Sequence, residues 1–297
     1  MHLCDMKDMI KTTASSNACV SVPKDLLVKL SSTDTSYSLE EVKENQAFTK
    51  KFMEDHVYNV YERIAEHFSH TRYRPWPGVV DFLKNLELGS IVLDVGCGNA
   101  KYAFCNSSIV WIGVDRSQNL MKHNIQHLAL HTKQETFKTD RKRSPELNVN
   151  DCENLSFRSE IADACISIAV LHHLPTEKQR IDAVHELIRC TRSGGQILIY
   201  VWSTDHKYQS IGSRVFESPD VFVPWKLQRQ FDPVYTTSTA LDSETPKIKR
   251  KNPLCSTTTL HRYYHLFSLE EIQALFLKIT TAAVVSIVFD RCYDKNL

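Results

Sequence analysis

Glycine and proline are scarce. Eight Gly and ten Pro in 297 residues exclude collagen-like and low-complexity chains. No apolar run approaches the roughly 20 residues that span a bilayer, which argues against a membrane span. No charge dominates either: 36 basic against 35 acidic side chains leave +1, so any grip on a polyanion must come from a local patch. Nine cysteines are present, yet no two form a Cys-x-x-Cys pair. In a chain of this size they read as reduced thiols and not as a zinc site or a disulfide frame. Residues 1–12 carry Asp5, Lys7, Asp8 and Lys11 without an apolar stretch, which argues against a secretory signal. The expected location is cytoplasmic, extending to the nucleus. What is there is 42% hydrophobic sequence, enough for one large domain or two small ones.

Residues 1–50 are rich in Ser, Thr, Lys and Asp and read as a disordered extension, which leaves 51–297 as the domain. Val57, Val60, Tyr61, Ile64, Ala65 and Phe68 recur at helical spacing. Pro75 and Pro77 then impose an extended connection, and Val79, Val80, Phe82, Leu83 and Leu86 form a second helix stopped by Gly89. Five apolar runs follow, at 91–95, 109–114, 164–170, 196–202 and 282–289, with a helix carrying Ile181, Val184, Leu187 and Ile188 between the third and fourth. Continuous apolar strands alternating with helices mean a sheet buried on both faces: a doubly wound, mostly parallel α/β fold. Residues 126–148 and 228–258 carry basic runs, 138–143 and 247–251, and read as solvated inserted loops.

The sharpest feature is Asp94-Val95-Gly96-Cys97-Gly98-Asn99 at the end of the first buried run. Such a turn lies at the carboxyl edge of a parallel sheet, where ligands bind, and Gly96 and Gly98 let backbone approach a ligand closely. Asp115 ends the next run, about 20 residues on, where an acid accepts hydrogen bonds from ribose hydroxyls. A dinucleotide fingerprint wants a third glycine, but Lys101 stands there. Asp94, two residues before Gly96, suits a cationic ligand end and opposes a diphosphate. S-adenosylmethionine therefore fits better than NAD. Asp151 follows the next inter-strand position and reads equally as a partner of the adenine amino group or as a helix N-cap.

Beyond the motif, several blocks resemble one group of class I methyltransferases. They are Val57-Tyr58, residues 67–77 with Arg72-Tyr73-Arg74-Pro75-Trp76-Pro77, Leu93 to Asn99, Gly113-Val114-Asp115-Arg116-Ser117, residues 166–173 ending in Leu171-His172-His173, residues 194–202, and Arg262-Tyr263-Tyr264-His265-Leu266-Phe267. The group is the eukaryotic tRNA wobble-uridine methyltransferases, which esterify the carboxylate of 5-carboxymethyluridine. The resemblance covers residues 55–294 with 126–148 left over, and it implies a class I, Rossmann-like fold. It implies S-adenosylmethionine held by Asp94, Gly96, Cys97, Gly98, Asp115, Arg116, Asp151, Cys152 and Ile168. It implies Arg72, Arg116, His172 and His173 at the methyl-transfer site, with Arg74, Trp76, Arg262 and Tyr263 on the tRNA anticodon loop. The group works with a small zinc-binding activator subunit as a heterodimer, and some members are fused to an AlkB-like dioxygenase, whose iron motif this sequence lacks.

Methylating a carboxylate needs no general base, since the nucleophile is ionised near pH 7. It needs cations and donors that aim one oxygen. Taken singly, Arg116 reads as a loop arginine and His172-His173 as a satisfied polar pair; gathered at one sheet edge they read as a site. Trp76, Tyr263 and Tyr264 offer stacking faces for an extruded base, or core packing, the better reading for Tyr264. His172, His173, His261 and His265 fit no standard metal spacing, so no metal is expected. Two departures from the group stand out. Ala100 occupies a place usually taken by Gly, a small change that is tolerated at negative φ and costs stability at positive φ. The chain also stops at Leu297, before a final strand whose absence is expected to expose sheet edges. The rival readings are a methyltransferase for another carboxylate, a divergent non-catalytic paralogue that binds tRNA or a partner, and a nucleotide-linked dehydrogenase, which Asp94 and Lys101 disfavour.

Overall fold

The computed structural model describes residues 2–5, 20–21, 39–135, 145–204, 218–236, 257–279 and 286–290. Its main sheet has seven strands in the order β10-β1-β7-β6-β3-β4-β5. These are β1 (His2–Asp5), β3 (Ile91–Val95), β4 (Val110–Asp115), β5 (Glu146–Val149), β6 (Ala162–Ile168), β7 (Thr191–Ser203) and β10 (Val288–Asp290), and every pairing between them is parallel. A smaller antiparallel sheet joins β2 (Val20–Ser21), β8 (Asp220–Gln228) and β9 (Thr257–His265).

The side-chain period of two explains why the central strands read as unbroken apolar runs. On β3, Leu93 and Val95 enter one core, together with Cys165, Ile199 and Val201 and with Ala183, Val184 and Leu187 of the helix Glu177–Cys190. Val92 enters the other, with Trp111, Ile166, Leu198 and Tyr200, beneath Val79 and Leu83 of the helix Pro77–Lys84. Each face is sealed by helices, and the carboxyl ends of β3, β4, β6 and β7 are left to carry the site.

A long helical cap crosses that edge. It runs from α1 (Leu39–Met53) through a π-helical segment, Glu54–Tyr58, into α2 (Asn59–Thr71). The helices after it are α3 (Pro77–Lys84), α4 (Gln118–Glu135), α5 (Glu177–Cys190), α6 (Pro233–Thr236) and α7 (Leu269–Leu277). Glu62 on α2 accepts hydrogen bonds from the Gln118 and Asn119 amides at 2.7 and 3.2 Å. The cap thus satisfies donors that the first turn of α4 leaves open. The antiparallel sheet closes over the cap: Val60 and Ile64 pack on Trp225 and Leu227, and a bidentate ion pair joins Arg63 to the buried Asp232.

Three expectations change. Residues 39–50 lie in α1, and two short strands precede it, while most of the remaining residues up to 38 lie outside the described ones. The stretch 126–148 is framed by α4 and β5, and of 228–258 residues 228–236 and 257–258 are described; the basic runs 138–143 and 247–251 fall outside the described residues. Open sheet edges were also expected; β1 lies between β7 and β10 and pairs with both. Among the described residues no helix is long and apolar enough to cross a membrane.

Candidate active site

The carboxyl edge opens into a cavity of about 580 Å3, walled by the cap, the Gly96 turn, the ends of β4 and β6, and β9. Gly96 has φ +80°, and a Cβ there would stand 2.2 Å from Val170 Cγ2, so only glycine fits. Gly98 has φ +55°. Its amide donates to Asp115 Oδ2 at 2.8 Å, and its carbonyl accepts from the buried Asn124 at 2.7 Å. Asn99 donates to the Arg72 carbonyl at 2.8 Å, which ties the turn to the far rim. Ala100 has φ +55°, the sign at which an L-residue is strained, by about 1–2 kcal/mol.

Asp94 is the electrostatic centre. It is 1% exposed, and neither carboxylate oxygen has a hydrogen-bond partner. Burial pushes its pKa up to about 7, an effect that the Trp111 indole and the Lys101 ammonium only partly offset. A buried, partnerless carboxylate on a cavity wall calls for a cationic ligand group, and the ammonium of a methionine moiety supplies one. Asp115 binds the Gly98 and Ser117 amides, one on each oxygen, and burial raises its pKa. Its second lone pairs remain for ribose hydroxyls. Asp151, Cys152 and Ile168 line the same cavity. Asp151 does not cap a helix: its Oδ1 accepts the Glu153 amide at 3.1 Å, closing a turn. These residues fit S-adenosylmethionine.

Arg116 belongs to this side of the cavity. Its guanidinium pairs with Asp151 and lies 3.8 Å from the centre of the Tyr58 ring. It is thus bound to a carboxylate of the cavity wall, and it lines the cavity itself. Tyr58 was singled out only as part of a matching block, not as a cavity residue. It reaches the cavity from the π-helical segment, whose widened turn no 3.6-residue periodicity announces.

The opposite chemistry gathers beside it. Arg72 and the buried Arg262 lie 5.0 and 4.7 Å from the Trp225 ring, and Arg262 lies 5.1 Å from that of Tyr264. Both arginines line the cavity. His172, fully buried, lines it too and has no hydrogen-bond partner on either ring nitrogen. Burial, then His173 and Arg262, hold its pKa well below the usual value, so it is neutral and offers one donor and one acceptor. His173 differs. Its pKa is pushed down to about 3 by burial. Its Nδ1 donates to the Tyr263 carbonyl at 2.9 Å, and its Nε2 accepts from the Tyr61 hydroxyl at 3.0 Å. His173 lines the cavity as well, and with both nitrogens occupied it positions Tyr61, which also accepts from Arg262 at 3.4 Å. Sequence reasoning missed Tyr61, since its helical spacing marked only a packing face.

One further expectation is corrected. Tyr263 faces away from the cavity: it is fully buried, its hydroxyl bonded to Asp220 and its ring 5.1 Å from Phe52. Its neighbour Tyr264 lines the cavity instead, because adjacent strand residues face opposite sides. Arg74 is exposed and lies off the cavity wall. Trp76 does line it, under the Lys101 ammonium at 4.8 Å. Among the described residues no group of three His, Cys, Asp or Glu side chains could hold a metal.

Fold and site together define a class I methyltransferase, and residues 93–199 match the methyltransferase domain family. The chain is 34% identical to the tRNA (carboxymethyluridine(34)-5-O)-methyltransferase of Schizosaccharomyces pombe over 83% of its own length and 95% of that protein. The Xenopus tropicalis protein of that name is 35% identical, over 77% of this chain and 38% of its own. The Mus musculus protein is 39% identical, over 69% of this chain and 28% of its own. The chain therefore spans well under half of the two vertebrate relatives and nearly all of the yeast one. It belongs to the tRNA (carboxymethyluridine(34)-5-O)-methyltransferase family.

Proposed function

We propose that the protein transfers a methyl group from S-adenosylmethionine to the carboxylate of 5-carboxymethyluridine at the tRNA wobble position. The observation that carries this reading is one cavity holding both a buried partnerless acid, Asp94, and two guanidinium groups, Arg72 and Arg262. The acid suits the cofactor's ammonium; the arginines suit a substrate carboxylate. Bound there, S-adenosylmethionine supplies an electrophilic methyl group on a sulfonium. Arg72 and Arg262 orient the carboxylate, neutral His172 donates a hydrogen bond to it, and Tyr61 with His173 steadies Arg262. No residue needs to take a proton, because the nucleophile is already ionised.

The small zinc-binding activator subunit is part of the proposal. Supporting it, β5 pairs with β4 on one side only among the described residues, and Val149 on it is 52% exposed, an open edge of the kind a partner covers. The proposed location is cytoplasmic, extending to the nucleus. The experiment is methyl transfer by the purified chain, with and without the activator, to tRNA from cells lacking this modification, with the wobble nucleoside read by mass spectrometry. A methyl ester on carboxymethyluridine is expected. No product from a folded preparation that binds tRNA would favour the non-catalytic paralogue.

A further inference from the structure

A cavity of this size admits a nucleoside but not a folded RNA, so a tRNA must also rest on the surface around the mouth. Arg72 and Trp76 both line the cavity, whereas Tyr73 and Arg74 between them do not. The segment is therefore the rim, with its outer side turned to solvent: Tyr73 is 54% exposed, and the Arg74 guanidinium lies 5.7 Å from its ring centre. A second pair of the same kind stands nearby. Arg229 lies 4.3 Å from the ring centre of Tyr235, which is 40% exposed. Phe231 fastens the two together: its ring stacks on His67 at 4.9 Å and reaches the exposed His70 at 5.3 Å, three residues before Tyr73. Asp232, the acid of that turn, is fully buried and neutralised by Arg63.

We infer that this rim, with Tyr73 and Arg74, and the Arg229–Tyr235 pair that Phe231 ties to it together form a docking surface for the unstacked nucleotides that flank the modified base in an RNA loop. The inference rests on the proposed function and names how that site holds its substrate. Exposed tyrosines give sequence-tolerant stacking faces, and guanidinium groups beside them meet phosphates or stack on bases themselves. With a net charge of only +1 over the chain, affinity for RNA has to be concentrated in such a patch.

The test measures direct binding of the full chain to tRNA lacking the wobble modification, and KM for the carboxymethylated tRNA. Tyr73→Ala and Tyr235→Ala are each expected to weaken both about five- to tenfold, while Tyr73→Phe and Tyr235→Phe keep near-normal affinity. Arg74→Ala and Arg229→Ala should each lower the slope of log affinity against log salt by a little under one. Arg192→Ala, at the amino end of β7 and far from the mouth, removes the same charge and should change neither. S-adenosylmethionine affinity should hold throughout. Wild-type binding with all four alanine variants unaffected overturns the inference and leaves the proposed function standing. Loss of activator binding in place of tRNA binding also overturns it, and assigns the rim to a protein. A wild-type chain that neither binds nor methylates tRNA overturns both.

Discussion

Asp94 is held where its charge is least stable without a ligand, and that has consequences with opposite signs. Its pKa lies above the unfolded value of 3.8, near 7. The cofactor-free fold is therefore favoured by Asp94 protonation, an advantage complete below 3.8 and lost as pH rises from there to about 7. Asp94→Asn should raise the Tm of the cofactor-free protein at pH 8, with a smaller gain at pH 5.5 and none below about 3.8, where the acid is neutral in both folded and unfolded chains. The same variant should weaken S-adenosylmethionine binding on the order of 100-fold, the scale of a lost buried charge pair. In the native protein, cofactor affinity should fall by up to about tenfold per pH unit below about 7, since the ammonium requires the ionised acid. Calorimetric titration from pH 5.5 to 8 checks this; a flat profile would remove Asp94 from the ammonium site. Tyr61 supplies a second test. Tyr61→Phe removes the acceptor of Arg262 and the donor to His173, so kcat/KM for tRNA should drop about tenfold with S-adenosylmethionine affinity unchanged.

Among the elements, β9 and α7 are locked by one charged triad. His265 Nδ1 lies 2.8 Å from Asp220 on β8, and its Nε2 lies 2.6 Å from Glu271 in the first turn of α7. Burial pushes the His265 pKa down, but hydrogen bonds to the two carboxylates more than reverse this, and it ends above 6.5. Its contribution to stability is then complete below 6.5 and is lost as pH rises through the raised value. Asp220 and Glu271 are both shifted down, despite burial, by His265, so their contribution is lost only as pH falls below the usual carboxylate range. The Tm difference between native protein and His265→Gln should peak between about pH 4.5 and 6.5 and shrink toward pH 9. This triad was not legible from the sequence, because it joins two strands that the sequence did not declare. Val221, Val223, Trp225 and Leu227 alternate inward on β8, but Phe222 and Pro224 between them blur the period of two. At the far edge of the main sheet, β5 has four residues and is mostly exposed. It offers no apolar run and was absorbed into an apparent loop.

For the whole molecule, the legible part is what burial dictates: strands sealed on both faces, the glycine turn and the acids that end β3 and β4. What stayed hidden depends on chain segments meeting far from one another in sequence, as when Tyr61, His173 and Arg262 converge from α2, the turn after β6, and β9. The cavity is built the same way, with walls from the cap, the parallel sheet and the antiparallel sheet. A ligand filling it must hold three bodies together, so binding should register far beyond the residues it touches. At 100 times its Kd, S-adenosylmethionine should stabilise the fold by about 2.7 kcal/mol and raise Tm by several degrees. Amide exchange should slow at the Gly96 turn, and also over Glu54–Tyr58 and Leu171–His173, which join the cavity to the cap and to β9. NAD offers Asp94 no ammonium donor and brings a diphosphate to a turn where Lys101 stands in place of the third glycine, so it should leave both Tm and exchange unchanged. A shift with NAD and none with S-adenosylmethionine would return the site to the dehydrogenase reading. Protection confined to the glycine turn would show that the cofactor meets the sheet alone, and that the cap closes only when RNA arrives.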